Sequence, residues 1–130
     1  MKYDDLSANL ADQERGRWLD IVDPWDGKPL GLRLLVAGPD SDTQRKARVE
    51  MADKLAEAAD VDGKVSFETR EKLRIYCLAR CVLGWDLAAS FGLEAQFGQV
   101  GVIKLLRFAW LEQQLDTFAG DRSKFRSEAA

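Results

Sequence analysis

The fold class is decided by the stretch RWLDIVDPWDGKPLGLRLLV, residues Arg17–Val36. Its first six residues are bulky and β-branched, which predicts a strand over Arg17–Val22. Two prolines and an Asp-Gly pair predict a turn over Asp23–Pro29. Apolar residues then alternate from Leu30 to Val36, which predicts a second strand with one apolar face. The stretch therefore predicts a β-hairpin, and this hairpin needs support because an isolated hairpin is only marginally stable.

The rest of the chain predicts the helices that provide this support. A short amphipathic helix is expected over Tyr3–Ala11, with Gly16 as the stop signal beyond it. Three longer helices are expected over residues 43–59, 67–83 and 94–119. The first of them is expected to pack through a narrow stripe made of Val49, Ala52, Leu55, Ala56 and Ala59. The predicted fold is α+β and predominantly helical, with an N-terminal β-hairpin packed on a cluster of about three longer helices.

A single domain is expected to include all 130 residues. Its parts are a short N-terminal helix and turn (1–16), the β-hairpin (17–37), the helical cluster (41–120) and a C-terminal tail (121–130). The apolar runs are too short and too often charged for a membrane span. The first residues, Met1–Asp5, are acidic and do not predict a signal peptide, so we expect a cytoplasmic protein.

The composition excludes several classes of function. The sequence contains no histidine, which removes His-dependent nucleophiles, proton shuttles and metal sites. A net charge of -3 does not fit a dedicated nucleic-acid-binding protein. Glycine-rich phosphate-binding motifs are also missing. We therefore predict no enzymatic activity, no cofactor, and no nucleic-acid or membrane partner. Cys77 and Cys81 are expected to be buried free thiols, because their spacing on a helix strains a disulfide.

Residues 58–69 resemble a calcium-binding EF-hand loop. Asp60, Asp62 and Gly63 occupy the third, fifth and sixth positions of that loop. Ala58 and Thr69, however, stand where the motif requires an aspartate and a bidentate glutamate. We therefore predict a tight turn between helices, with a left-handed glycine followed by a serine that caps the next helix.

A second acidic group lies in the hairpin and consists of Asp20, Asp23 and Asp26. Turn formation is the favoured interpretation, because aspartate side chains bond to nearby backbone in turns. A calcium-responsive or acid/base module built on either acidic group is the third functional hypothesis.

The last predicted helix carries more apolar residues than one core requires. They are Leu105, Phe108, Trp110, Leu111, Leu115 and Phe118. This helix is either the centre of a bundle or a surface completed by a partner or a second copy. Trp85 and Trp110 are expected in the core. Trp18 and Trp25 belong to the hairpin, and for Trp25 both self-packing and partner contact remain open.

Several stretches resemble small proteins encoded in phage and prophage tail modules. They are Trp18–Pro24, Asp26–Gly31, Val36–Ser41 and Gly84–Asp86. Near the end of the chain, Leu105–Arg107, Trp110–Leu115 and Asp121–Phe125 look like the end of tail assembly chaperones and related tail accessory proteins. The resemblance covers most of the chain, whereas Phe91–Gln99 departs from the pattern. None of these motifs is a catalytic fingerprint.

The resemblance implies a non-enzymatic role in virion assembly. Such chaperones bind the long, helical tape measure protein and keep its apolar segments soluble until tail tube subunits polymerise around it. The predicted partner contacts are Trp25, Leu105, Phe108, Leu111, Leu115, Arg122 and Phe125. The alternative is a structural neck or tail component of the virion, which would form rings by closing heterologous interfaces between copies.

Overall fold

The structure, a computed structural model, describes residues 1–126. Its elements are α1 (Tyr3–Arg15), β1 (Arg17–Val22), β2 (Pro29–Val36), α2 (Asp42–Ala58), α3 (Phe67–Arg80), β3 (Val82–Leu87), α4 (Gln99–Leu105) and α5 (Ala109–Gly120). Single 3-10 turns occupy Ala89–Phe91 and Arg122–Phe125. The predicted α+β class is confirmed, although the helices and strands are divided differently. Residues 127–130 of the predicted C-terminal tail lie outside the described part.

The predicted hairpin is confirmed, with β1 and β2 paired antiparallel. Its inward-facing residues form the centre of the core, and they are Ile21, Leu32, Leu34 and Val36. At the turn, the Asp23 carboxylate accepts a hydrogen bond from the Trp25 N–H at 2.7 Å. The Asp26 carboxylate accepts one from the Lys28 N–H at 2.9 Å. These two aspartates therefore shape the turn, as predicted.

A third strand was not predicted. The helix expected over 67–83 ends at Arg80, and Val82–Leu87 forms β3, which pairs antiparallel with β2. The sheet order is β1-β2-β3, so the apolar strand β2 is central. A short apolar run has the same sequence pattern in a buried helix as in a buried strand. The first residues of β3 were therefore predicted as the end of the preceding helix.

The long helix expected over 94–119 is two helices. α4 and α5 are separated by a tight turn in which the Phe108 N–H donates to the Leu105 carbonyl at 3.2 Å. The break lets both helices direct leucines into one core. Gly101 lies in α4 beneath the indole of Trp85, where an added Cβ would lie 2.6 Å from a ring carbon. This close approach explains a glycine inside a helix despite its low helix propensity.

Helix α2 packs through a different face from the predicted stripe. Val49, Ala52 and Ala56 are exposed, whereas Gln44 and Ala47 are buried. The Gln44 carboxamide nitrogen donates to the Ala37 carbonyl at 2.7 Å and to the Ala119 carbonyl at 2.8 Å. These bonds satisfy its buried polar group, so a polar residue fixes the docking face of α2.

Helix α1 begins at Tyr3, as predicted, but continues to Arg15 before Gly16 turns the chain with φ of +81°. Its Leu6 and Leu10 are largely exposed, so apolar packing does not hold this helix in place. The attachment is polar and centres on Gln13. The Gln13 carboxamide accepts from the Asp40 N–H at 2.6 Å and donates to the Asp40 carboxylate at 3.0 Å.

Candidate binding groove

The predicted partner contacts divide into two groups in the structure. Four of them belong to the hydrophobic core, namely Leu105, Leu111, Leu115 and Phe125. Their assignment as direct partner contacts was wrong, because a side chain enclosed by the core is not available to another protein. For Leu105, Leu111 and Leu115, the sequence left a core position open as the alternative, whereas burial of Phe125 was not predicted.

The other three predicted contacts lie at the surface but do not form one site. Trp25 is 86% exposed at the hairpin turn. Phe108 precedes α5 and is 54% exposed, whereas Arg122 follows that helix. The 12 residues of α5 between them span about 18 Å. Arg122 is also occupied, because its guanidinium lies 2.7 Å from the Asp40 carboxylate. Arg122 and Gln13 together lower the pKa of Asp40 to about 2.

A concave surface lies between β1 and α5, with a volume of about 670 Å³. Its apolar walls are formed by Trp18, Leu19, Val22, Pro24, Trp110 and Phe118. We call this surface the β1–α5 groove. The sequence alone did not predict it. Trp110 was expected in the core, and in the structure it packs against the core while one side lines the groove.

Gln114, which lines the groove, forms hydrogen bonds to β1 in the way that a neighbouring strand would. The Val22 N–H donates to the Gln114 carboxamide oxygen at 3.0 Å, and the Gln114 carboxamide nitrogen donates to the Val22 carbonyl at 2.9 Å. A side-chain amide has the same donor and acceptor as a peptide group. At Val22, the end of β1, the outward backbone groups are therefore bonded as they would be to the next strand of a sheet.

Some of the charged side chains around the groove form ion pairs and others do not. Arg33 lies opposite Asp20 in the sheet, but its guanidinium lies 2.6 Å from Asp86 and 4.6 Å from the centre of the Trp18 ring. Within residues 1–126, Asp20 forms no ion pair. At the other end, Asp121 accepts hydrogen bonds from the N–H and hydroxyl of Ser123, which lower its pKa. The carboxylate of Asp20 is therefore available at the rim.

A second, smaller groove of about 370 Å³ lies between α2, α3 and α4. Met51, Leu73 and Ile103 supply apolar lining, and an ion pair between Glu50 and Arg80 at 2.7 Å borders it. The two cysteines, predicted as buried free thiols, are both free. Cys81 is buried, whereas Cys77 is only half-buried in this groove. Burial raises the pKa of Cys77, and that of Cys81 to about 12, which disfavours the reactive thiolate form.

The loop that resembles an EF-hand is folded as the predicted turn. The Asp60 carboxylate accepts hydrogen bonds from the N–H groups of Asp62 and Lys64, each at 2.9 Å. Gly63 has φ of +78°, and the hydroxyl of Ser66 accepts from the Thr69 N–H at the start of α3. Across residues 1–126 no three Cys, Asp or Glu side chains come together in a way that could hold a metal ion.

The two loop aspartates should respond differently to substitution. Asp60→Ala removes two hydrogen bonds to the backbone and should lower the free energy of unfolding by about 1 kcal/mol. Asp62→Ala is the matched control and should change it by less than about 0.5 kcal/mol, because Asp62 is exposed. Urea denaturation with and without calcium measures both effects. Stabilisation by millimolar calcium that is lost in Asp62→Ala would revive the calcium module.

None of the helices within residues 1–126 combines the length and the apolar character that crossing a membrane requires. The chain matches no protein-family model, no curated protein and no solved structure.

Proposed function

We propose that this protein is a non-enzymatic assembly factor of a phage or prophage tail, acting in the host cytoplasm by binding another tail protein. The observation that carries the proposal is the β1–α5 groove. Two stretches that resemble tail assembly chaperones, Trp110–Leu115 and Asp121–Phe125, contribute residues to its lining. The resemblance and the concave surface therefore point to the same part of the molecule.

The groove suits the capture of an apolar segment. Trp18, Trp110 and Phe118 present aromatic surface, and each Å² of apolar surface that a partner buries contributes roughly 25 cal/mol. Tryptophan is also enriched among the residues that dominate binding energy at interfaces. A tape measure protein has apolar segments that must stay soluble before the tube forms, and it is the proposed partner. The net charge of -3 helps to keep such a complex soluble.

A groove variant tests this proposal. Thr117 is exposed and lines the groove, so Thr117→Arg introduces a bulky cation there without disturbing the core. Asp116→Arg is the matched control, because it introduces the same side chain one position away, at an exposed residue outside the lining. We expect Thr117→Arg to lower binding of the tape measure protein at least about tenfold and Asp116→Arg to preserve it.

The measurement is affinity capture of the tagged protein after prophage induction, with the tape measure protein quantified by mass spectrometry. Equal capture of the tape measure protein by both variants would show that the groove is not the binding site. Failure of the unaltered protein to capture the tape measure protein would refute the assembly role. Recovery of the tagged chain in purified, completed tails would instead support the structural neck or tail component, including contacts between copies of this chain.

A further inference from the structure

The outer side of β1 carries backbone groups that face the groove. β1 is at the edge of the sheet, and successive residues of an antiparallel strand direct their backbone groups to alternate sides. The Asp23 N–H bonds to the Lys28 carbonyl on the hairpin side, whereas the backbone of Val22 bonds outward to Gln114. The Ala88 N–H donates to the Gly31 carbonyl at 2.7 Å, so alternate residues of β2 from Gly31 onward bond to β3, and the residues between them, Leu34 and Val36, bond to β1. Their partners in β1 are Leu19 and Arg17, which leaves the backbone groups of Trp18 and Asp20 on the outer side. Their N–H and carbonyl groups therefore point outward, into the groove.

We infer that the partner enters this groove as an extended strand, which pairs with Trp18 and Asp20 and adds a fourth strand to the sheet. This inference rests on the proposed function and specifies the conformation of the bound segment. An unpaired edge is a template for strand addition, and main-chain hydrogen bonds then supply affinity. Gln114 already occupies the outward groups of Val22, so it marks where the added strand ends. A helix offers no free main-chain groups along its length for such pairing.

The surroundings of β1 define the side-chain pattern of the partner. On one face of the sheet, the exposed carboxylate of Asp20 has no ion-pair partner within residues 1–126, so a lysine or arginine on the added strand complements it. On the other face, Leu19, Trp110 and Phe118 pack against the core. Side chains that point that way must be apolar. The partner segment therefore alternates basic or polar residues with aliphatic ones.

The probe is a nine-residue peptide that alternates valine with lysine and threonine, with binding to the full chain measured by fluorescence anisotropy. Asp20→Pro removes the outward N–H of residue 20. No hydrogen bond to β2 is lost, because that N–H lies on the outer side of β1, where an edge strand tolerates proline. We expect it to weaken binding about tenfold or more, since it also leaves an unpaired acceptor on the peptide. Asp20→Ala is the matched control. It removes the same carboxylate but retains the N–H, and should weaken binding less than about fivefold.

Two altered peptides test the pairing with the protein unchanged, so the result does not depend on how well Asp20→Pro folds. N-methylation of the residues that face β1 should abolish binding, whereas N-methylation of the alternate residues should preserve it. Equal effects of the two methylation patterns, or no binding of the parent peptide at millimolar concentration, would overturn the inference. Preferential binding of an amphipathic helical peptide would also overturn it while leaving the proposed assembly role intact. That role fails separately, when the tape measure protein is not captured.

Discussion

Leu111→Asp is expected to unfold the protein. Leu111 is 1% exposed and lies in the core cluster that also contains Leu34 and Leu115. The substitution removes buried apolar contacts and places a carboxylate where nothing pairs with it, which together cost several kcal/mol. A domain of this size has a free energy of unfolding of about 5–15 kcal/mol, so little of it would remain. Circular dichroism during urea denaturation measures the loss.

Gln113→Asp is the matched control for this substitution. Gln113 lies on the same helix and is exposed, so the same new carboxylate meets water and should change the free energy of unfolding by less than about 0.5 kcal/mol. A folded Leu111→Asp protein that has lost only its partner would contradict the structure. It would restore the original prediction that Leu111 contacts a partner.

The parts of the fold that the sequence predicts are those specified by local patterns. Alternation across Leu30–Val36 and the prolines of the turn predict the hairpin from neighbouring residues alone. The turn at Gly63 and the cap at Ser66 are equally local. Strand β3 is different, because only its pairing with β2 distinguishes it from a continuation of α3. That pairing joins residues about 50 positions apart, such as Leu34 and Trp85.

The groove could not be predicted for a related reason. It exists because α5 lies beside the open edge of β1, and neither the edge position of β1 nor the break before α5 is visible in the sequence. The sequence shows that the last predicted helix carries many apolar residues. Their division between core and surface depends on that break, which buries Leu111 and leaves Phe108 exposed.

The positions of three glutamines also depend on the tertiary structure and could not be predicted from the sequence. Gln13, Gln44 and Gln114 each bond through the side-chain amide to the backbone of a distant segment. Because glutamine usually lies at protein surfaces, the sequence does not indicate which glutamine side chains are buried. In this protein, these amides fix α1, α2 and α5 against the rest of the chain. Polar side chains thus determine much of the docking of the helices.

Gln13→Ala is expected to lower the free energy of unfolding by about 2–4 kcal/mol. The Gln13 side chain is almost fully buried and connects three segments. Besides its two bonds to Asp40, its carboxamide donates to the Asn9 side chain at 2.9 Å, and Asn9 in turn donates to the Phe125 carbonyl at 3.1 Å. Removing the carboxamide leaves the Asp40 N–H without its partner and opens a cavity beside Gly38, which approaches this side chain closely.

The effect should be specific to the buried amide. Gln113→Ala makes the same chemical change at an exposed position and should alter the free energy of unfolding by less than about 0.5 kcal/mol. Hydrogen exchange should also show faster exchange of the α1 amides in Gln13→Ala, because the apolar residues of that helix are largely exposed and cannot hold it in place. Equal stability of the two variants, with unchanged exchange in α1, would show that the polar cluster does not anchor the helix.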